Sequence, residues 1–240
     1  NGKTHAAPIN AGKAVLTLKD LEADDYVAGA SYSGNGNLNP SSSKSVTFTV
    51  LDVYPILTAG DVSKFYGGSE KLQITLKDSL GNKIKNADIN VIANGKTSTV
   101  KTDSNGKATV DLDWGVGDYD VTLSYQSASA TCKVTVKSTI NAADAAGTYS
   151  NSRVTATFLN AAGNALASKQ VTFKIGDNTY FATTNANGAA TASIPLGVGT
   201  YTVTAVNPTT KEEKQFKLTI SKASSTTGLT SVQNGKFVTL

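Results

Sequence analysis

The chain has 240 residues, 17% of them charged and 39% hydrophobic, with a net charge of +4 at pH 7. This balance excludes a disordered polyelectrolyte, and 21 Gly with only 5 Pro and no triplet period exclude a collagen. No apolar run approaches the roughly 18 residues of a membrane-spanning helix, and the first residues lack the apolar core of a secretory leader, so any leader is expected to lie upstream or to have been removed.

Taken in chain order, the residues repeat. Asn1-Gly2-Lys3-Thr4 matches Asn94-Gly95-Lys96-Thr97, and Leu21, Tyr26 and Tyr32 match Trp114, Tyr119 and Tyr125 at a spacing of 93. Residues 1–53 therefore read as the later part of one unit, and Val50 to Pro55 as a linker. In residues 54–138 the apolar positions alternate with polar ones. The sets are Leu72, Ile74 and Leu76, then Ile89, Val91 and Ala93, then Val110, Leu112 and Trp114. Tyr119, Val121, Leu123 and Tyr125 follow, and Cys132, Val134 and Val136 close the unit. Val136 to Ile140 reads as the second linker.

Residues 139–222 repeat this pattern at a spacing of 82. Gly81-Asn82 recurs as Gly163-Asn164, Asn105-Gly106 as Asn187-Gly188, and Gly115-Val116-Gly117-x-Tyr119 as Gly197-Val198-Gly199-x-Tyr201. Residues 223–240 open a further unit, since Lys236-Phe237 stands where Lys71-Leu72 and Arg153-Val154 stand in the whole ones. Strict alternation gives each strand one buried and one wet face. Short strands separated by Asn-Gly and Gly-Asn turns predict an all-β chain of β-sandwiches. Tyr26, Tyr119 and Tyr201 enter a late strand with inward parity, which predicts hydrogen bonds back across the corner of a Greek-key sandwich.

The residue inventory leaves little for catalysis. There is one histidine, His5, near the chain start, and one cysteine, Cys132, at core parity. Cys132 reads as a buried, inert thiol. No Cys/His cluster has zinc spacing, and the Gly-Val-Gly-x-Tyr element lacks the Lys and helix of a phosphate loop. Of 22 cations only Arg153 is Arg, and the charge is spread: 4 cations and 5 acids in residues 1–53, 10 and 9 in 54–138, 8 and 4 in 139–240. A nucleic-acid stripe is not expected. Both Asn-x-Ser/Thr sequences, at Asn39 and Asn207, carry a blocking Pro, so no N-linked glycan is expected.

The run Thr102-Asp103-Ser104-Asn105-Gly106-Lys107-Ala108, followed by Gly-x-Tyr-x-Val, resembles prokaryotic immunoglobulin-like repeats of intimin/invasin-type surface proteins. The run Leu57 to Gly67, leading into Leu76-Lys77-Asp78, is more similar still to adhesin-like proteins of methanogenic archaea. The resemblance implies tandem immunoglobulin-like Greek-key β-sandwiches in an elongated rod, on an extracellular cell-surface protein. It implies no shared catalytic residue, so a non-enzymatic spacer or adhesin is expected. Its expected partners are neighbouring repeats of the same chain or fibre and a host or other microbial cell surface.

Three candidate sites remain. Lys64, beside Phe65 and Tyr66, is the candidate for a Lys–Asn crosslink of the kind some surface domains contain, with Asn86 or Asn90 as partner; the plainer expectation is a solvated Lys64. Asp111, Asp113, Asp118 and Asp120 crowd the strand ends around Trp114 and form a candidate calcium site, the only cofactor the sequence suggests. The plainer expectation there is a solvated acidic strand end, because the second unit has Ser193, Pro195, Thr200 and Thr202 in their place. Tyr54, Phe65, Tyr66 and Tyr180 are the aromatics off core parity and the candidates for gripping a sugar or a partner protein. A further reading is a fibre subunit completed by strands of a neighbour, although a gap of roughly 15 residues in the completed unit speaks against it.

Overall fold

The period-two pattern folds into twenty-four short strands and no helix among the described residues of a computed structural model, which are 2–228, 232–234 and 237–239. Residues 1–53 hold β1 (Ile9–Asn10), β2 (Lys13–Ala14), β3 (Asp24–Ala28), β4 (Ser31–Tyr32), β5 (Ser41–Ser42) and β6 (Val46–Val50), joined pairwise as β1–β2, β3–β6 and β4–β5. Tyr26 stacks on Phe48 at 5.4 Å between β3 and β6. None of the buried core residues lies in this segment.

The first whole sandwich contains β7 (Pro55–Ala59), β8 (Val62–Phe65), β9 (Lys71–Asp78), β10 (Asp88–Ala93), β11 (Lys96–Lys101), β12 (Lys107–Asp111), β13 (Gly117–Tyr125) and β14 (Ala128–Lys137). A three-stranded sheet, β12-β9-β7, faces a five-stranded one, β11-β10-β13-β14-β8. The second repeats it with β15 (Ile140–Ala142), β16 (Ala145–Thr148), β17 (Arg153–Phe158), β18 (Gln170–Ile175), β19 (Asn178–Thr183), β20 (Ala189–Ser193), β21 (Gly199–Val206) and β22 (Glu213–Ser221). Its sheets are β15-β17-β20 and β16-β22-β21-β18-β19. In each sandwich the first extended segment switches sheets part-way, so β8 and β16 run parallel to the last strand while β7 and β15 pair antiparallel. Asp61 and Asp144 stabilise the switch. Each Oδ1 accepts from an amide of the last strand, Lys133 N–H and Lys217 N–H, both at 2.8 Å. This strand order defines tandem immunoglobulin-like β-sandwiches.

Among the described residues of 223–240, β23 (Val232–Asn234) pairs with β24 (Phe237–Thr239). Lys236, which the sequence reading places in a further unit, lies outside the described residues. The accessible surface is 16272 Å². A compact monomer of 24.7 kDa would show only about 10,000 Å², so the chain does not form one compact globule, and the exposed residues 1–53 contribute to the excess.

Repetition reaches single hydrogen bonds. Tyr119 Oη donates to Gly115 O at 2.9 Å, Tyr201 Oη to Gly197 O at 3.0 Å, and Tyr26 Oη to Glu22 O at 2.9 Å. Leu76 N–H donates to Gly106 O, and Phe158 N–H to Gly188 O, both at 2.8 Å. Gly106 and Gly188 have φ of +69° and +75°, and a Cβ on either would collide with the carbonyl of Leu76 or Phe158. These turns need glycine both for the left-handed backbone and for space.

The turns also differ in one chemical respect. Asp78 Oδ1 accepts from Leu80 and Asn82 N–H, and Asp103 Oδ1 from Asn105 and Lys107 N–H. In the second sandwich Asn160 and Asn185 accept the same bonds. The Asn82 side-chain amide, with backbone donors behind it, holds the Asp78 carboxyl below the ordinary carboxylate value. The Lys107 N–H, then the Asn105 donors, do the same for Asp103. A carboxyl depressed in the folded state contributes stability above its unfolded pKa and loses it as pH falls through the folded value. The first sandwich is therefore expected to lose thermal stability below about pH 4 more steeply than the second. Melting curves across that range check this, and Asp78→Asn/Asp103→Asn should remove the difference. Equal acid sensitivity of the two units would overturn it.

Candidate functional site: the junction between the sandwiches

The two whole sandwiches meet with no free linker. Lys137 ends β14 and Ile140 begins β15, leaving Ser138 and Thr139 as the connection. Thr139 is fully buried and is held by Glu212, itself only 5% exposed. Glu212 Oε2 accepts from Thr139 N–H and Thr139 Oγ1, both at 2.6 Å, and Oε1 accepts from Ser138 Oγ at 2.5 Å. Asn207 Nδ2 donates to Thr139 Oγ1 at 3.0 Å and to Leu159 O at 2.8 Å. Thr210 Oγ1 lies 2.9 Å from Thr139 Oγ1. A buried carboxylate is stable only when its oxygens are occupied, and here three donors occupy them.

Glu212 sits in the six-residue loop 207–212 between β21 and β22. The first sandwich has a two-residue turn there, Gln126–Ser127. The only sequence signal for this loop is a change of spacing, from 82 at Tyr119/Tyr201 to 84 at Lys133/Lys217.

A second contact lies beside the clamp. The end of β8 and the turn after it carry Phe65, Gly67 and Gly68 to the face of the second sandwich. The Phe65 ring covers Gly163 so closely that a Cβ there would overlap three ring carbons. Gly67 approaches Thr210, and Gly68 approaches Ala161 O. Lys137 Nζ lies 5.8 Å from the Phe65 ring centroid, a cation–π contact. An open cleft of about 400 Å³ remains between Tyr66, Val116 and Ser138 on one side and Glu212–Gln215 on the other.

The sequence candidates fall into different places. Lys64 is buried rather than solvated, because the parallel pairing of β8 with β14 sets it against Val136 at core parity. Its Nζ donates to Leu112 O at 2.8 Å. Asn90, one suggested crosslink partner, instead accepts from Thr99 on the sheet surface, and Asn86 occupies a left-handed turn at φ 55°. In the second sandwich Gly147 replaces Lys64, and the equivalent carbonyl, Ile194 O, accepts from the buried Ser152 Oγ at 2.5 Å. A short hydroxyl, from a serine that fills the space a side chain at Gly147 would enter, thus replaces a long ammonium as donor to the equivalent strand-end carbonyl. Lys64 is a structural donor.

The four acids near Trp114 do not converge, and no group of three or more His, Cys, Asp or Glu able to hold a metal occurs among the described residues. Asp111 pairs with Lys71 at 2.7 Å, Asp120 pairs with Lys133 at 3.2 Å, and Asp118 accepts from Thr135 Oγ1 at 2.6 Å. Asp113 acts on Lys71 only through its charge. Trp114 packs on Tyr119 at 4.9 Å.

Of the four aromatics, Tyr54 is exposed. Phe65 and Tyr66 are half-buried, the first at the junction and the second against the first core. Tyr180 packs against the second core, and its neighbour Phe181 is the exposed residue, at 60%. The tight Gly176–Asp177 turn sets this register by pairing Tyr180 with core-facing Phe173. Cys132 is buried, and burial, followed by the charge of Asp61, pushes its thiol up.

No protein-family model matches this chain, and no curated protein matches it. Among solved structures it is similar to the I9–I11 tandem of titin at 10% identity, with 90% of this chain and 89% of that chain covered and a TM-score of 0.41. A bacterial ice-binding adhesin is matched at 15% identity over 84% of this chain and 76% of that chain, with a TM-score of 0.32. The bacterial integrin-binding protein invasin is matched at 15% identity over 72% of this chain and 40% of that chain, with a TM-score of 0.31. The strand order described above, not these likenesses, defines the fold. No helix among the described residues is long and apolar enough to cross a membrane.

Proposed function

We propose that this chain is a non-catalytic segment of an extracellular cell-surface protein of the adhesin-like type, with methanogenic archaea as the source that the sequence resemblance suggests. Its sandwiches space and present a binding tip, and its partners are neighbouring repeats and the surface of another cell. The observation that carries the reading is the Glu212-clamped junction. A connection of two residues, both bonded to Glu212 and one of them buried, transmits orientation from one sandwich to the next. A stalk needs that property and an enzyme does not. The reading requires no cofactor.

Small-angle scattering of the chain tests it. The two whole sandwiches should contribute one elongated body of fixed shape, and scattering that requires many orientations between them would overturn the reading. A second reading, a fibre subunit completed by strands of a neighbour, is favoured by the exposed core-parity residues Val46 and Phe48 on the β3–β6 pair. It predicts long species in the same samples.

A further inference from the structure

We propose that the outer edge of β19 is a lateral docking surface for a second copy of this chain, joined by antiparallel pairing of β19 with itself. β19 is the outermost strand of its sheet and, among the described residues, pairs only with β18. Its free edge therefore presents backbone N–H and C=O groups, which another strand complements.

The repeat supplies the comparison. At the spacing of 82, β19 corresponds to β11, the same edge of the first sandwich. β11 carries Lys96 and Lys101, and Lys101 pairs with Asp88 at 2.6 Å. β19 has Asn178 and Thr183 at those positions, and Gln170 stands for Asp88. Thr99 becomes Phe181, which is 60% exposed. Both lysines of one edge strand, and the Asp88 on the neighbouring strand that pairs with one of them, have no counterpart at the other edge, and a large apolar side chain is added. Lysines on an edge are a recognised means of blocking strand addition. The other outer strand on this side, β20, carries only Ala, Thr and Ser, so it offers no comparable anchor.

The register commits the partner. Side chains at 179, 181 and 183 face outward on β19, because Tyr180 and Ala182 pack on the core. An antiparallel copy that keeps this parity sets Phe181 against Phe181 and Thr179 against Thr183 at both ends. No like charges meet, and an aromatic pair lies on the two-fold axis.

Sedimentation equilibrium of the full chain over about a hundredfold concentration range tests the proposal. A reversible dimer is expected. Phe181→Lys should weaken it at least tenfold with unchanged circular dichroism and melting temperature, since the side chain is exposed. A second variant locates the contact. Phe181→Cys should give a covalent dimer under mild oxidation, with Cys132 buried and silent. A chain monomeric at every concentration, or a dimer indifferent to Phe181→Lys, would overturn the proposal. Neither result bears on the rigid-spacer reading, which the scattering shape tests separately.

Discussion

Phe158→Ala is expected to destabilise the second sandwich by about 4 kcal/mol, within the range for deleting a buried phenyl ring. Phe158 is fully buried at the centre of β15-β17-β20 and meets Phe173 edge-on at 6.1 Å. It thus links the two sheets, and its removal leaves a cavity that two flanking strands cannot collapse to fill. A unit of this size has roughly 5–10 kcal/mol in total, so about half its stability is at stake. The first sandwich has Leu76 at this position and its own core. Denaturant titration should show one transition moving to lower concentration while the other holds. A joint shift of both transitions would mean that the units unfold together.

Glu212→Ala is expected to cost about 3 kcal/mol, because it leaves the Thr139 N–H buried without an acceptor and removes the charged partner of two hydroxyls. The effect differs in kind from that of Phe158→Ala. Ser138 and Thr139 are the connection itself, so this variant should also free the orientation of the first sandwich. Glu212→Gln keeps one good acceptor and places an amide against the remaining donors, and it should fall between the two. The readouts are the denaturation midpoint of residues 139–222 and the scattering profile. A Glu212→Ala chain with wild-type stability and shape would remove Glu212 from its assigned role.

The two predictions draw on different levels of information. Phe158 is legible in the sequence, since it alternates with Val154 and Ala156 and repeats Leu76. Glu212 is not, since a Glu beside Glu213 in a Lys-containing loop reads as solvated. Lys64 was misplaced for a related reason. Most lysines here lie at the polar parity of their strands, which suggests a solvated side chain, but parallel pairing with β14 turns Lys64 inward, where it donates to the Leu112 carbonyl. Tyr180 and Phe181 differ by a single step of register, and the Gly176–Asp177 turn decides which is buried. The clustering of Asp111, Asp113, Asp118 and Asp120 in sequence hides their separation in space, because β12 and β13 lie in opposite sheets of the sandwich and cross-strand lysines hold Asp111 and Asp120 apart.

What the sequence by itself determined is whatever depends on local periodicity and repetition. This includes the all-β class, the two whole units, the core residues, the corner tyrosines and the glycine turns. Each follows from backbone rules that act within a few residues, and two copies of each motif show the rule twice. The tertiary structure alone decided the burial of Lys64 and Glu212, the seating of Phe65 over Gly163, the dispersal of the acids and the bare edge at β19. These depend on which strands lie side by side and on which loop meets the next sandwich. Such contacts join residues about seventy positions apart, like Thr139 and Glu212, and they exist only once both sheets have closed.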